Sequence, residues 1–312
     1  MSKTSQIELE ARRQGTLGAI AAISSYLIWG LSVIFYRQLV NVSAFEILSY
    51  RALWSLLITI SIILVIGHQR HFLAVLRNRH AMKTLVFTGC LIGSHSIVFI
   101  WAVNSSRILE TSLAFFINPL MSVLMGVVFL KEHITSAQVA AILLAAAGVI
   151  YFTVALGFLP WVSLYLAASF SLYGYVKKTL RVGVLEGLCV EVLVLSPFCI
   201  SFLVWQSSHG GGAFLVDGWY TDLILVLSGF MTLVPLSLFV YGAQRIRLTT
   251  LGLLQYIIPT TSFTIAVWIY HEPLGMGQLA TFGFIWMGLI IFTFDSWRRE
   301  RIRVRLVASS PL

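Results

Sequence analysis

Residues 111–130 read TSLAFFINPLMSVLMGVVFL, twenty positions without one charged side chain. At about 1.5 Å per residue a helix of this length spans roughly 30 Å, the hydrocarbon thickness of a bilayer. Asn118 and Pro119 sit at its centre. Working outward, comparable apolar runs occupy 15–36, 47–67, 84–103, 137–156, 160–176, 187–205, 222–243, 250–270 and 277–295. Each is read as a helix, because a lone segment in lipid must satisfy its own backbone hydrogen bonds. A spanning β-barrel would show short alternating segments instead of long apolar runs.

Composition agrees. Of 312 residues, 58% are apolar and 11% are charged, with 21 Lys and Arg against 12 Asp and Glu. Mean hydropathy is +0.90. An ordinary soluble domain is about half apolar and about a quarter charged. Soluble, disordered, collagen-like and disulfide-rich classes are therefore excluded. Ten spans of about 20 residues leave only short loops and two tails. Cys90, Cys189 and Cys199 all fall in spans and read as packing residues.

The basic residues orient the chain. With the N-terminus in the cytoplasm, the inner side collects Lys3, Arg12, Arg13, Arg70, Arg77, Arg79, Lys83, Lys131, Lys177, Lys178, Arg181, Arg245, Arg247, Arg298, Arg299, Arg301, Arg303 and Arg305. Only Arg37 and Arg107 fall outside, and Arg51 lies within the second span. This asymmetry predicts ten spans with both termini cytoplasmic. It also removes the nucleic-acid reading of the +9 net charge: the C-terminal arginines read as an anchor on anionic lipid. Ala19 and Ala21 have no apolar stretch before them, so the first run is read as a retained span and not as a cleaved leader.

Slid by 140 residues, segment 99–152 lies over 239–292 without a gap, and 13 of 54 positions agree. The matches include Phe99/Phe239, Arg107/Arg247, Pro119/Pro259, Glu132/Glu272, Gln138/Gln278 and Gly148/Gly288. Further upstream, 25–30 resembles 169–174 at an offset of 144. The expected organisation is an N-terminal tail (1–14), two five-helix repeats (15–156 and 157–295) and a basic C-terminal tail (296–312). Five is odd, so the second repeat enters the membrane inverted. Inverted repeats give two conformations of similar energy, one open to each side, as alternating access requires.

Charges inside a span cost about 2.5–3.5 kcal/mol on insertion scales, so they need a reason. Glu191, in the seventh span, is a candidate proton-coupling carboxylate or solute contact. Arg51 is its equivalent at an offset of 140. The two opposite charges could pair across the halves or guard opposite mouths. His95, flanked by Ser94 and Ser96, could relay protons or simply pack. Asn118 with Pro119, and Gln255 with Tyr256 ahead of Pro259, place polar groups beside a proline that frees a backbone carbonyl and hinges a helix. Trp29 and Tyr173, at matched positions, are candidate cavity walls. Gly89 and Gly93 have the spacing of a close helix contact. No HExxH, GxSxG, Walker or dinucleotide motif occurs, and no catalytic residue, metal or cofactor is expected. Without a phosphate loop, transport must draw on an ion or solute gradient.

These residues carry a resemblance. The chain resembles the RarD branch of the EamA group within the drug/metabolite transporter superfamily. The matching stretches are 26–30 (YLIWG), 99–104 (FIWAVN), 116–120 (FINPL), 248–260 (LTTLGLLQYIIPT) and 282–286 (FGFIW). Glu191 stands where that branch carries Glu-Thr before an apolar run ending in proline, here Pro197. Val192 replaces the threonine. The resemblance covers about 14 to 297. It implies ten helices as two inverted repeats, with a cavity bordered by the first, third, fourth, sixth, eighth and ninth spans. That favours His95, Asn118, Gln255 and Tyr256 for solute contact, and moves Arg51 and Glu191 towards the gates. The expected protein is a secondary transporter of a small metabolite or drug-like solute in the bacterial cytoplasmic membrane. Its expected mode is alternating access, coupled to protons as an export antiporter. The alternative is a non-transporting sensor or assembly factor built on the same fold.

Overall fold

Long apolar runs leave the backbone no partner but itself, and the described chain is helical nearly throughout. The computed structural model describes residues 3–105, 107–156, 160–271, 279–280 and 282–295. Its helices are α1 (Lys3–Tyr36), α2 (Ala44–Val65), α3 (Gln69–Arg77), α4 (Arg79–Asn104), α5 (Ile108–Leu130) and α6 (Ser136–Leu156). They continue with α7 (Trp161–Thr179), α8 (Val184–Ser208), α9 (Trp219–Arg245), α10 (Leu248–Leu254), α11 (Ile257–Trp268) and α12 (Phe282–Asp295). Among the described residues, seven segments are long and apolar enough to cross a membrane; α10 and α11 together count as one. Shorter apolar helices cover Ser136–Tyr151 and Phe282–Asp295. Helix α7 carries three serines and two lysines, which lower its apolarity.

Local chemistry sets the helix ends. The Ser43 hydroxyl accepts from the Glu46 amide at 3.2 Å and starts α2. Asn78 Oδ1 accepts from the amides of His80 and Ala81, each at 3.1 Å, and starts α4. Thr135 and Gln138 cap each other reciprocally at 2.9 and 3.1 Å, the capping-box arrangement, and start α6. The repeat-matched Gln138 thus has a backbone task; its counterpart Gln278, like Glu272 and the C-terminal arginines, lies outside the described residues.

Helices meet where side chains are small, which lets backbones approach in lipid. Helix α1 packs along α9 and α11, α2 along α8 and α9, α4 along α7 and α8, and α5 along α7 and α10. A side chain at Gly242 would fall 2.9 Å from the Gly18 carbonyl. One at Gly89 would fall 3.2 Å from the Glu191 carbonyl, and Gly93 faces Leu195, so the expected glycine spacing on α4 is its seam with α8. Five apolar clusters result among the described residues, and two of them surround the helix crossings just named. One gathers Leu113, Phe116, Tyr256, Phe282 and Ile285; the other gathers Tyr26, Tyr173, Leu188, Phe239 and Leu251. Large apolar side chains also cover the exterior, among them Leu57, Leu143, Phe198 and Ile290. Water would penalise such a surface, and lipid does not.

Two local features differ from the sequence reading. The stretch after the second span, taken as a loop, forms α3, a nine-residue helix with Arg70, Leu73 and Arg77 along it. It is too short and too polar to register as a span. The ninth span, read as continuous over 250–270, breaks at Gln255–Tyr256. Proline at 259 lacks an amide hydrogen, and its ring clashes with the carbonyl four residues back, which belongs to Gln255. The chain responds with tighter bonds: Gln255 N to Gly252 O at 3.0 Å, Tyr256 N to Leu253 O at 3.3 Å and Ile258 N to Gln255 O at 3.0 Å. Pro119, the matched proline, stays inside the unbroken α5.

Candidate functional site

The break between α10 and α11 frees backbone carbonyls that must find donors. The Leu251 carbonyl loses its ordinary partner, because the Gln255 amide turns to Gly252. The Tyr26 hydroxyl of α1 supplies the missing donor at 3.0 Å. Across the break, the Tyr256 hydroxyl donates to the Phe116 carbonyl at 3.2 Å, beside Pro119. Ser171 Oγ of α7 lies 2.8 Å from Asn118 Oδ1 and 3.0 Å from Ser122 Oγ. Glycine at 252 lets α10 approach the Pro119 carbonyl, where a side chain would fall 2.8 Å away. The two proline regions therefore brace one another. Asn118, Pro119, Gln255, Tyr256 and Pro259 are all buried in this brace.

Above it stands an aromatic cluster. Trp29 lies 5.8 Å from both Phe170 and Phe239, and 6.2 Å from Tyr26. Phe170 meets Phe239 at 5.2 Å, and Tyr173 stacks on Phe239 at 6.2 Å. His95 joins from α4: its ring is 5.7 Å from Phe170, and its Nδ1 is 2.9 Å from Ser169 Oγ. Trp29, His95 and Tyr173 are thus brought around Phe170 and Phe239, two residues that the sequence reading did not single out. Trp29 and His95 remain half-exposed, whereas Tyr173 is fully buried.

Glu191 is almost wholly enclosed, with 2% of its side chain exposed. Its Oε1 accepts from Lys177 Nζ at 3.0 Å and from the Thr88 hydroxyl; its Oε2 accepts from the Tyr173 hydroxyl at 3.0 Å. Three helices, α4, α7 and α8, meet on this one carboxylate. The pairing with Arg51 weighed from the sequence does not form; Lys177 takes the place. Lys177 also corrects the loop tally, since its side chain is 3% exposed and sits within α7. A signal for it was available: Lys177 follows Tyr173 by four residues, so both lie on one helix face. Arg51, by contrast, is half-exposed on α2 and has neither an ion pair nor a hydrogen bond among the described residues. It is close enough to His95 and Cys199 to interact with both electrostatically.

One end of the bundle is tied shut. Glu132 at the end of α5 accepts from the amides of Leu248 and Thr249, at 2.7 and 2.9 Å, and so caps α10. Lys178 donates to the carbonyls of Ala243 and Ile246, Gln244 Nε2 to the Val182 carbonyl at 3.1 Å, and Arg245 Nε to Gln14 Oε1 at 2.9 Å. These bonds link α1, α5, α7, α9 and α10 at the end where α1 begins. The site contains no cluster of His, Cys, Asp and Glu fit to hold a metal among the described residues.

Comparison with known proteins bears on this arrangement. Residues 16–154 match the EamA-like transporter family. A Vibrio cholerae protein described as an uncharacterized transporter is 37% identical over 279 residues, covering 89% of this chain and 92% of its own length. Protein RarD of Escherichia coli K12 is 35% identical over 295 residues, covering 95% and 99% respectively. The Bacillus subtilis transporter YojE is 38% identical, over 90% and 96%. A chain of known crystal structure shares the fold at a TM-score of 0.68 and 18% identity, covering 89% of this chain and 97% of that one. With near full-length relatives and a bundle of apolar helices, the chain belongs to the RarD branch of the EamA-like transporter family, as a multi-pass protein of the bacterial inner membrane.

Proposed function

We propose that the protein is a secondary transporter that exports a small metabolite or drug-like solute by alternating access, as a proton antiporter. Two inverted five-helix halves, 15–156 and 157–295, supply ten spans, with both termini in the cytoplasm. Solute binds at the aromatic cluster, against Trp29 and His95, which stay partly exposed, with Tyr173 as the buried back of that wall. The brace of Asn118, Pro119, Gln255, Tyr256 and Pro259 serves as the hinge. Under the orientation read from the basic residues, the tied end lies on the cytoplasmic side.

The observation that carries the reading is the carboxylate of Glu191, buried where α4, α7 and α8 converge. A buried pair costs desolvation that its mutual attraction only partly repays, and its survival needs complete hydrogen bonding. Protonation of Glu191 removes the charge that Lys177 neutralises. It thereby weakens the junction of the three helices, which links proton binding to their separation. Transport then follows from a population shift between two packed states.

Comparing metabolite export by cells with and without the protein identifies a candidate solute, which is then tested in sealed vesicles. The expected result is flux that responds to an imposed pH gradient. Absence of flux under every gradient would favour the sensor reading. In Glu191→Gln, flux driven by a pH gradient is expected to vanish while solute exchange persists. Unchanged proton-driven flux in that variant would remove the coupling role.

A further inference from the structure

Helix α3 reads QRHFLAVLR, and helical spacing sorts those residues onto two faces. Phe72, Val75 and Leu76 share one face and are partly buried. Phe72 packs there against Leu56, Ile63 and Cys189, which holds α3 to α2 and α8. Arg70, Leu73, Ala74 and Arg77 share the opposite face, three, four and seven residues on from the first, and all four are exposed. Together with Asn78 they line a shallow cavity of about 550 Å³.

No group of the described chain answers the charge on this face. Neither Arg70 nor Arg77 makes an ion pair or a hydrogen bond among the described residues. Residues 47–109 contain no Asp or Glu, while Arg79 and Lys83 follow at the start of α4. Glu186 of α8 is bonded to His68, the N-cap residue of α3, at 3.0 Å. Asn78 uses its Oδ1 on the amides of His80 and Ala81, and its Nδ2 donates to no described residue. Leu73, between the two arginines, is 49% exposed, so it forgoes much of the gain of burial. The lipid-facing exterior adjoins it. Helix α3 lies between Val65, the 86% exposed last residue of α2, and α4, on which Val86 and Phe87 are exposed.

We infer that the outer face of α3 binds the headgroup of an anionic phospholipid. Its phosphate lies between Arg70 and Arg77, with Asn78 donating, and its first acyl carbons lie against Leu73 and Ala74. The arginines are about 10 Å apart along the axis at 1.5 Å per residue, and both reach the one cavity. Guanidinium groups match phosphate oxygens in two-bonded forks. A soluble phosphate would use the arginines and leave Leu73 in water; a phospholipid answers both. A zwitterionic headgroup brings a cation of its own beside the arginines, so the site prefers net negative charge. Amphipathic helices of this kind lie in the membrane interface, and basic segments are drawn to anionic lipid there.

The test uses the purified full-length chain in uncharged detergent and counts bound lipid by native mass spectrometry. Dimyristoyl phosphatidylglycerol is set against dimyristoyl phosphatidylcholine, and glycerol phosphate serves as the soluble competitor. Two basic residues at a membrane surface correspond to an affinity change of about thirty-fold. The expected result is one tightly held phosphatidylglycerol in the wild-type chain, bound about thirty-fold more weakly by the double variant Arg70→Gln with Arg77→Gln. Arg12→Gln with Arg13→Gln removes the same charge from α1 and should leave binding nearly unchanged. Leu73→Gln should weaken the lipid, and glycerol phosphate should not displace it. Equal affinity of the wild-type chain for the two lipids overturns the inference, and that comparison needs no variant to fold. Equal losses in the two double variants overturn it as well, because the attraction would then be diffuse. Displacement by glycerol phosphate, or full binding by Leu73→Gln, would make this a site for soluble anions and overturn the lipid assignment. None of these readings depends on whether the chain transports a solute.

Discussion

Arg51 and Glu191 hold the same register in α2 and α8, yet the fold treats them in opposite ways. Around Glu191 three helices contribute a lysine, a tyrosine and a threonine, and the side chain is sealed. Around Arg51 no acceptor arrives from the described residues, and the side chain remains partly exposed. The difference teaches how two helices with a charge at the same register can be treated differently by their neighbours. A charge answered within the fold becomes part of the framework, and in the proposed mechanism a proton is what alters it. A charge left unanswered keeps its hydrogen-bonding capacity.

Four expectations can break or sharpen this contrast. The largest concerns Lys177→Met, which strands Glu191 beside an apolar side chain. Loss of one partner of a buried ion pair costs about 3–5 kcal/mol, seen as a lowered unfolding midpoint in mixed micelles. An unchanged midpoint would show that the pair contributes nothing. The double variant Lys177→Met with Glu191→Met should recover most of that loss, since well-packed apolar groups replace such pairs at little cost. Next comes Tyr173→Phe, which removes one donor from the carboxylate while leaving the ring against Phe239. A hydrogen bond to a charged group is worth about 1.5–3 kcal/mol, and the same unfolding assay should report a loss in that range. The smallest effect on stability belongs to Arg51→Gln. With no partner to strand, it should move the midpoint by less than about 0.5 kcal/mol. A large loss there would mean that Arg51 is structural after all.

How much of this was legible in the sequence depends on what each signal reports. Apolar runs report contact with lipid or core, and they located every described helix but α3 to within a few residues, with α10 and α11 read as one run and α1 lacking its N-terminal extension to Lys3. That extension is polar and gains from pairs such as Gln14 with Glu10, at 2.9 Å, which a hydropathy reading does not weigh. Helix α3 escaped for the same reason. Both prolines were legible as places where a helix loses a backbone bond, but only Pro259 breaks its helix. Pro119 is held in line by contacts from α7, α10 and Tyr256, and those contacts lie 50 to 140 residues away in the chain. Glu191 and Arg51 were legible as charges out of place, whereas their partners were not. Lys177 looked like a loop residue because it ends a helix and follows the positive-inside pattern. Only the packing of α7 on α4 turns it inward. Sequence position shows that a buried charge needs an answer; the tertiary fold decides whether the answer comes from the chain.

The most direct test uses one solute, the leading candidate from metabolite profiling, and three forms of the chain in sealed vesicles. Wild type, Glu191→Gln and Arg51→Gln are each assayed for flux under an imposed pH gradient and for solute exchange without one. The account predicts that Glu191→Gln loses the response to the gradient and keeps exchange, while Arg51→Gln keeps the response to the gradient. The same outcome in both variants would contradict it, since the two charges would then serve one task.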